Sequence, residues 1–534
     1  MASAALMFRG MARSRTVHYV RTYNVAHPLQ YSTSTTRPDK TGYGFSVIKG
    51  EGYNIGNRPQ LKPQDNSSGT VDLAKHKATT WPREDTIAAF KDHALFSWGS
   101  QEGSMATAVH VKETKGVWWY DHDGRDYIDW GSGAVCSNLG HTMPQPIKDA
   151  INAQIDTVPF VYGDTGLVDV RARLSALLAE LCPADLNGFL YASSGAEANE
   201  GAIRLARSYT GRNKIMSRYR SYHGGTTSTL NLTGDPRKWV TDPFSVGFVK
   251  MLDPCPYNFE WDANPQAAAE KCLDALHEQI LAEGSNTIAA IHVESITGSN
   301  GWLMPHPTYM QGVRALCDQY GILMVIDEVM TGFGRTGTMF GYQHFEGVVP
   351  DMFTFAKGST AAYAPLSGIG VRQPILDHYK SNPTGYGSTY SAHPLSCAVA
   401  YATVKHILDI DLCTHVQAMS VVMQEEMQQL VEKHPSIKAG RVVGLAGGFD
   451  LCGRDGNYMM QMHEQTAEIG LLKNLLLEQG VIGVFRGNFA QCCPPLIITE
   501  DEIREGFKRV DRAMTKFDNH YFGAVESDPA QACK

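Results

Sequence analysis

Two short apolar runs, residues 322–326 (ILMVI) and 352–356 (MFTFA), each end abruptly in a charged residue, Asp327 and Lys357. Neither run alternates strictly between polar and apolar positions, and an unbroken run of this length suits a parallel strand covered on both faces. In open α/β sheets the ligand crevice lies beyond the carboxyl ends of the strands. The pattern therefore delivers an acid and an amine to one such edge. Taken singly, each residue has a plainer reading, a capping Asp and a surface Lys.

An acid and an amine so placed meet the needs of pyridoxal 5'-phosphate (PLP) chemistry. A lysine amine condenses with the cofactor aldehyde, and an acid facing the pyridine nitrogen keeps it protonated, so that the ring accepts the electrons of a substrate carbanion. The stretch IDEVMTGFGRTG followed by TFAKG resembles the class III (ω-amino acid) aminotransferases of PLP fold type I, of the pyruvate-using ω-aminotransferase type. The resemblance implies that Asp327 binds the ring nitrogen, that Lys357 holds the cofactor, and that Val329 packs against the ring face.

The remaining motifs fall in the family's order. In residues 187–209 a short apolar strand breaks into Ser193, Ser194, Gly195 and Ala196, and an Ala- and Glu-rich helix follows at once. Small residues let the backbone approach an anion, and the free N–H groups and dipole of a helix start attract a phosphate. The same turn also occurs with no ligand. It resembles the family's SGSEANE phosphate loop, with Ala196 in place of the usual Ser. Tyr222, His223 and Gly224 match the family's aromatic-His-Gly, whose aromatic ring stacks on the cofactor, and His223 reads as a satisfied buried histidine. Glu294 ends a further strand in VESITGSNG, where Ser295 replaces the family's Pro. The resemblance implies that Glu294 lies beside the ring and pairs reversibly with a C-terminal Arg.

Residues 385–397, GYGSTYSAHPLSC, resemble the segment whose Thr, here Thr389, binds the cofactor phosphate across a dimer interface. Arg486, ahead of Pro494 and Pro495, matches the Arg that binds a substrate carboxylate or sulfonate through its planar donor fork. Arg441 and Arg454 are upstream alternatives outside any family motif. Phe96 and Trp98 precede a β-rich meander and are candidates for the substrate pocket, although two aromatics in a leader are more often plain packing.

At 534 residues, 43% hydrophobic and 19% charged, the chain has the composition of a soluble globular protein with more than one domain. The net charge of −8 argues against nucleic acid or an anionic membrane as a partner, and no apolar stretch is long enough to span a bilayer. Eleven cysteines without a dense framework point to free thiols in a reducing compartment, and no ligand spacing suggests a metal. Residues 1–38 hold arginines at positions 9, 13, 15, 21 and 37 and no acidic residue, the composition of a mitochondrial transit peptide. A disordered basic tail is the alternative.

The expected organisation is a transit peptide (1–38), a flexible leader (39–80), a small α+β domain made from both chain ends (81–160 and 396–534), and a large mostly parallel α/β domain (161–395). The resemblance implies a homodimer with shared active sites. It also implies transamination from a small amino donor of the taurine, β-alanine or 4-aminobutyrate type to a keto acid such as pyruvate. Decarboxylation, amino-group migration or a non-catalytic role would use the same scaffold.

Overall fold

The computed structural model describes residues 77, 80–183, 185–241, 246–256, 259–459 and 467–523. The expected transit peptide and nearly all of the leader lie outside them.

Strand burial explains the unbroken apolar runs. Ile288–Glu294, Leu323–Asp327 and Met352–Phe355 are buried at every position, so polar alternation has no place in them. They lie at the middle of a seven-stranded sheet. Its order is Leu186–Ala192, Ser367–Arg372, Met352–Phe355, Leu323–Asp327, Ile288–Glu294, Lys214–Arg218, Phe248–Met251. The last five are mutually parallel. Ser367–Arg372 runs antiparallel to both neighbours. Its glycines make room there: a Cβ on Gly370 would meet the Phe353 ring at 2.0 Å, and one on Gly368 the Phe355 ring at 2.5 Å. The register sets Glu294 beside Asp327 and Asp327 beside Thr354 at the carboxyl edge.

Helix Gly195–Thr210 leaves the end of Leu186–Ala192 almost at once. Ser194 caps it by accepting from Glu197 N, and Gly211 closes it at φ 67°. Its inner face is built of Ala198, Ala202, Ile203, Leu205 and Ala206, small enough to bring the helix close to the sheet.

Two four-stranded sheets make the smaller part. One is antiparallel, in the order Ile437–Val443, Ala446–Leu451, Phe489–Cys492, Val484–Arg486. The other begins with the meander Val111–Lys115, Trp118–Asp121, Asp126–Asp129 and is completed by Val481–Ile482. The turn at residues 121–125 behaves as its DHDGR sequence predicts: Asp121 Oδ1 accepts from Asp123 N and Arg125 N at 2.9 Å each, and Gly124 takes φ 81°. Val481 pairs in parallel with Ile128, so the two ends of the chain share one sheet. Helix Glu500–Phe522 is capped by Thr499, which forms a reciprocal box with Glu502. Among the described residues, no helix is long and apolar enough to cross a membrane.

Candidate active site

Asp327 is the best-supported point of the site. It ends a central strand at 4% exposure. Its Oδ2 accepts from Asn199 Nδ2 and from His223 Nδ1, both at 2.8 Å, and its Oδ1 from Val329 N at 2.9 Å. Burial pushes the carboxyl pKa up, but the hydrogen bond and charge of His223, with smaller help from His292 and Val329 N–H, outweigh it and leave it below the ordinary value. Asp327 is thus a buried anion at neutral pH. Asn199, on helix Gly195–Thr210, also donates to His223 O at 2.7 Å and accepts from Thr354 Oγ1 at 2.7 Å, so its amide is fixed on three sides. His223 stacks edge-on to His292 at 4.8 Å, and the Nε2 atoms of both rings have no hydrogen-bond partner among the described residues.

Lys357 follows strand Met352–Phe355 with φ 46°, a left-handed conformation that costs a non-glycine residue about 1–2 kcal/mol. Among the described residues its amine makes no hydrogen bond or ion pair. Burial, with Arg486 and Arg237 adding to it against Cys136 and Asp327, lowers its pKa to about 8.

The small-residue turn lies against these groups. A Cβ on Gly195 would meet Val329 Cγ1 at 3.0 Å and Ala356 Cβ at 3.7 Å, and one on Gly224 would meet Ala196 Cβ at 2.6 Å. Ser194, Gly195, Ala196, Val329, the residue before Lys357 and the Tyr222–Gly224 segment therefore share one surface. The N–H groups of Gly195 and Ala196, in the first turn of the helix, have no intrahelical acceptor. A buried acid, an amine without a partner and a helix start cleared of side chains fit the ring nitrogen, aldehyde and phosphate of PLP.

Tyr222 stands above this floor, half-buried, with its N–H donating to Glu294 Oε1 at 3.2 Å. Glu294 is buried, and its Oε2 accepts from Gly298 N at 2.7 Å. Burial, with Asp327 nearby, raises its pKa. Both oxygens of Glu294 are therefore met by backbone N–H groups. Arg486 gives Nη1 to Phe485 O at 3.0 Å, and the expected Glu294–Arg486 ion pair is not formed. Arg486 ends strand Val484–Arg486 and is exposed to solvent in the cleft, yet the surrounding protein, and then Arg237, lower its pKa to about 10. Arg441 and Arg454 are engaged elsewhere, with Asp450 and Gly301 O in the first case and Tyr521 O in the second.

The two aromatics of the leader part company. Trp98, 65% exposed and at φ 69°, brings its ring to 5.9 Å from that of Tyr222. Phe96 instead stacks on Phe90 of helix Arg83–His93 at 5.7 Å. Thr389 is exposed on the loop ahead of helix Pro394–Asp409, and no hydrogen bond joins it to the groups above among the described residues.

Sequence reasoning did not single out Asn199 or Arg237. Asn199 follows the small residues 193–196, where an amide in the alanine-rich start of a helix is the sole cue. Arg237 lies in TGDPRKW, which reads locally as no more than a turn, yet its guanidinium sits 3.5 Å over the Tyr222 ring.

A buried acid and a low-pKa lysine at adjacent carboxyl ends of a doubly wound sheet define a PLP-dependent enzyme of the transaminase fold. The chain belongs to the class III aminotransferases, whose family profile (Aminotransferase class-III) matches residues 99–514. It is 32% identical over 427 residues to an uncharacterized aminotransferase of Bacillus subtilis, covering 76% of this chain and 92% of that one. It is also 32% identical to the hypotaurine/taurine–pyruvate aminotransferase of Paracoccus denitrificans, covering 76% of this chain and 91% of that protein. The taurine:2-oxoglutarate aminotransferase of Bifidobacterium kashiwanohense, solved with PLP and glutamate, superposes with a TM-score of 0.78 at 36% identity. That match covers 83% of this chain and 100% of that one.

Proposed function

We propose that this aminotransferase moves an amino group from an ω-amino acid or amine, of the taurine, β-alanine or 4-aminobutyrate type, to a keto acid such as pyruvate. The observation that carries the reading is the pairing of Asp327, held ionised by His223 and Asn199, with the low-pKa amine of Lys357 one strand away. When bound, PLP supplies an electron-accepting ring. Asp327 holds the proton on the ring nitrogen, Ser194, Gly195 and Ala196 receive the phosphate, and Tyr222 and Val329 hold the ring faces. Lys357 Nζ takes a proton from the amine-bearing carbon of the donor and returns one to the acceptor carbon. Arg486, whose one hydrogen bond among the described residues goes to its neighbour's carbonyl, is free to swing onto an acceptor carboxylate. Glu294 orients the backbone of Tyr222 and lies beside the ring.

The active sites are shared in a homodimer, Thr389 reaching the phosphate of the partner subunit; its exposure here and the nearby exposed Phe160 and Tyr390 support this. The small domain comprises 81–160 and 396–534 around a large domain at 161–395, a division supported by the pairing of Val481 with Ile128. The protein acts in the mitochondrial matrix. The arginine-rich, acid-free residues 1–38 support this, and so does a 30% identical rice relative named a mitochondrial gamma-aminobutyrate transaminase.

The test is the visible spectrum of the purified protein with each donor added singly and no keto acid. One ω-amino donor should bleach the cofactor–lysine band, and pyruvate should restore it with release of alanine. A spectrum that responds to none of these donors overturns the substrate assignment.

A further inference from the structure

The segment that carries Trp98 to the cleft has little apolar burial to hold it. Helix Arg83–His93 before it and helix Gln101–Thr107 after it bury no residue. Between them run residues 94–100 (ALFSWGS), with Leu95 at 94% exposure. Trp98 sits there at φ 69°, a left-handed backbone that a non-glycine residue adopts at a cost. Its ring nevertheless meets the Tyr222 ring at 5.9 Å and the Arg237 guanidinium at 5.8 Å, and its Cη2 comes 3.5 Å from where a Cβ on Gly225 would stand. A loop with so little buried surface takes its shape from polar contacts.

Gln101 supplies them. Its Nε2 donates to Phe90 O and to Ala94 O, both at 2.8 Å, and its Oε1 accepts from Phe96 N at 3.4 Å. The amide thus ties the end of helix Arg83–His93 and the first half of the loop to a residue seven positions beyond Ala94. A primary amide suits this task because it donates two hydrogens and accepts on one oxygen, whereas a carboxylate of equal length only accepts. Phe96 closes the same ring of contacts by stacking on Phe90 at 5.7 Å. At the far end Ser100 Oγ accepts from Gly103 N at 3.2 Å and starts the next helix. Ser97, Trp98 and Gly99 project between these two anchors, and Gly99 N donates to Ser97 O at 2.9 Å.

We infer that Gln101 is a positioning residue: its amide holds the 94–100 loop so that the Trp98 ring stands at the mouth of the cleft, and through Trp98 it sets the fit of the amino donor; this rests on the transamination reading above. An ω-amino donor carries its carboxylate or sulfonate two or more bonds from the reacting carbon, so its chain extends away from the floor. Pyruvate, with its carboxylate directly beside the carbonyl, is shorter. A ring at the mouth therefore bears more on the donor than on the acceptor. The clamp lies outside the packed core, so its loss moves the ring and leaves the domains folded.

The experiment measures kcat and KM for taurine and β-alanine, and KM for pyruvate, in the holoenzymes of wild type, Gln101→Met, Trp98→Ala and the double variant. Gln101→Met keeps the length of the side chain and removes its hydrogen bonds to Phe90, Ala94 and Phe96. It should raise the donor KM by about three- to tenfold, with kcat and the pyruvate KM within about twofold of wild type. The double variant should then match Trp98→Ala within about twofold, because residues that act as a unit are not additive. A donor KM in the double variant equal to the product of the two single effects would show that Gln101 acts apart from Trp98, and would overturn the inference. Equal shifts for donor and pyruvate would overturn it too, as would an unchanged donor KM with a lowered Tm, the outcome of a merely structural role, or with no change in Tm. Gln101→Glu, which keeps an acceptor for Phe96 N but sets an anion against two carbonyls, gives the same comparison where Gln101→Met is not recovered folded. Wild-type protein that forms no alanine from pyruvate with either donor overturns the transamination reading, and the inference with it.

Discussion

The floor and the rim of the cleft are built on opposite plans. At the floor, Asp327, His223, Asn199 and Thr354 come from two neighbouring strands, a loop and a helix, are all buried, and meet one another's polar groups at 2.7–2.8 Å. At the rim, Trp98 and Thr389 are exposed, and Arg486 has one hydrogen bond among the described residues, to its own neighbour's carbonyl. A group that must hold one charge state through every turnover gains from a rigid, dry setting in which its partners need not reorganise. Groups that must accept two different substrates gain from being held loosely. Arg237 is the exception at the rim, clamped like the floor by Asp235, Ser299 and the Tyr222 ring.

The contrast is broken most severely at Lys357. Replacing it with Ala should lower turnover by about 10³- to 10⁴-fold, with an unchanged circular dichroism spectrum, because the general acid–base group is removed while the floor stays packed. Turnover within about tenfold of wild type would remove Lys357 from the mechanism.

Asp327→Asn keeps the shape of the floor and removes its charge. Turnover should fall by about 10²- to 10³-fold with little change in donor KM, measured at saturating PLP. A loss confined to KM would place Asp327 in substrate binding.

The pH dependence of cofactor capture sharpens the electrostatic half of the comparison. Only the neutral amine attacks an aldehyde, and the Lys357 pKa is lowered to about 8. The rate at which cofactor-free protein takes up PLP should therefore rise about tenfold per pH unit below this value and level off above it. A rise continuing toward pH 10 would mean an ordinary lysine. The sign for stability follows from the same shift. Between about 8 and 10.5 the unfolded chain holds a proton that the folded one has lost, so the cofactor-free fold gains stability through that window as pH rises.

The smallest effect is expected at the rim. Trp98→Ala should change donor KM by about three- to tenfold and leave Tm unaltered, since its ring meets only the Tyr222 edge and the Arg237 guanidinium among the described residues' rings and cations and is mostly in solvent. A clear fall in Tm would show that Trp98 holds the leader segment in place.

Much of this site is legible in the sequence where it depends on neighbours along the chain. The apolar runs that end in Asp327 and Lys357 are strands because both of their faces are covered. The small residues 193–196 open a helix because Ser194 can cap it, and Thr499 with Glu502 starts the last helix for the same local reason. The meander and its DHDGR turn follow from alternation and from a glycine at positive φ.

Only the tertiary structure decided which distant groups meet. Asn199 reaches Asp327 across 128 residues and His223 reaches it across 104, distances closed by strand order and helix placement that no local pattern encodes. Strand Ser367–Arg372 runs antiparallel to its neighbours, and its glycines admit the Phe353 and Phe355 rings of the next strand. Glu294 accepts from two backbone N–H groups and forms no ion pair with Arg486 among the described residues. Of two leader aromatics of equal promise, one packs on its own helix and the other reaches the cleft. The physical reason is common to all of these. Local pattern determines which backbone a segment prefers and which face it buries, whereas the partner of a buried polar group is set by whatever the packed sheet brings within 3 Å.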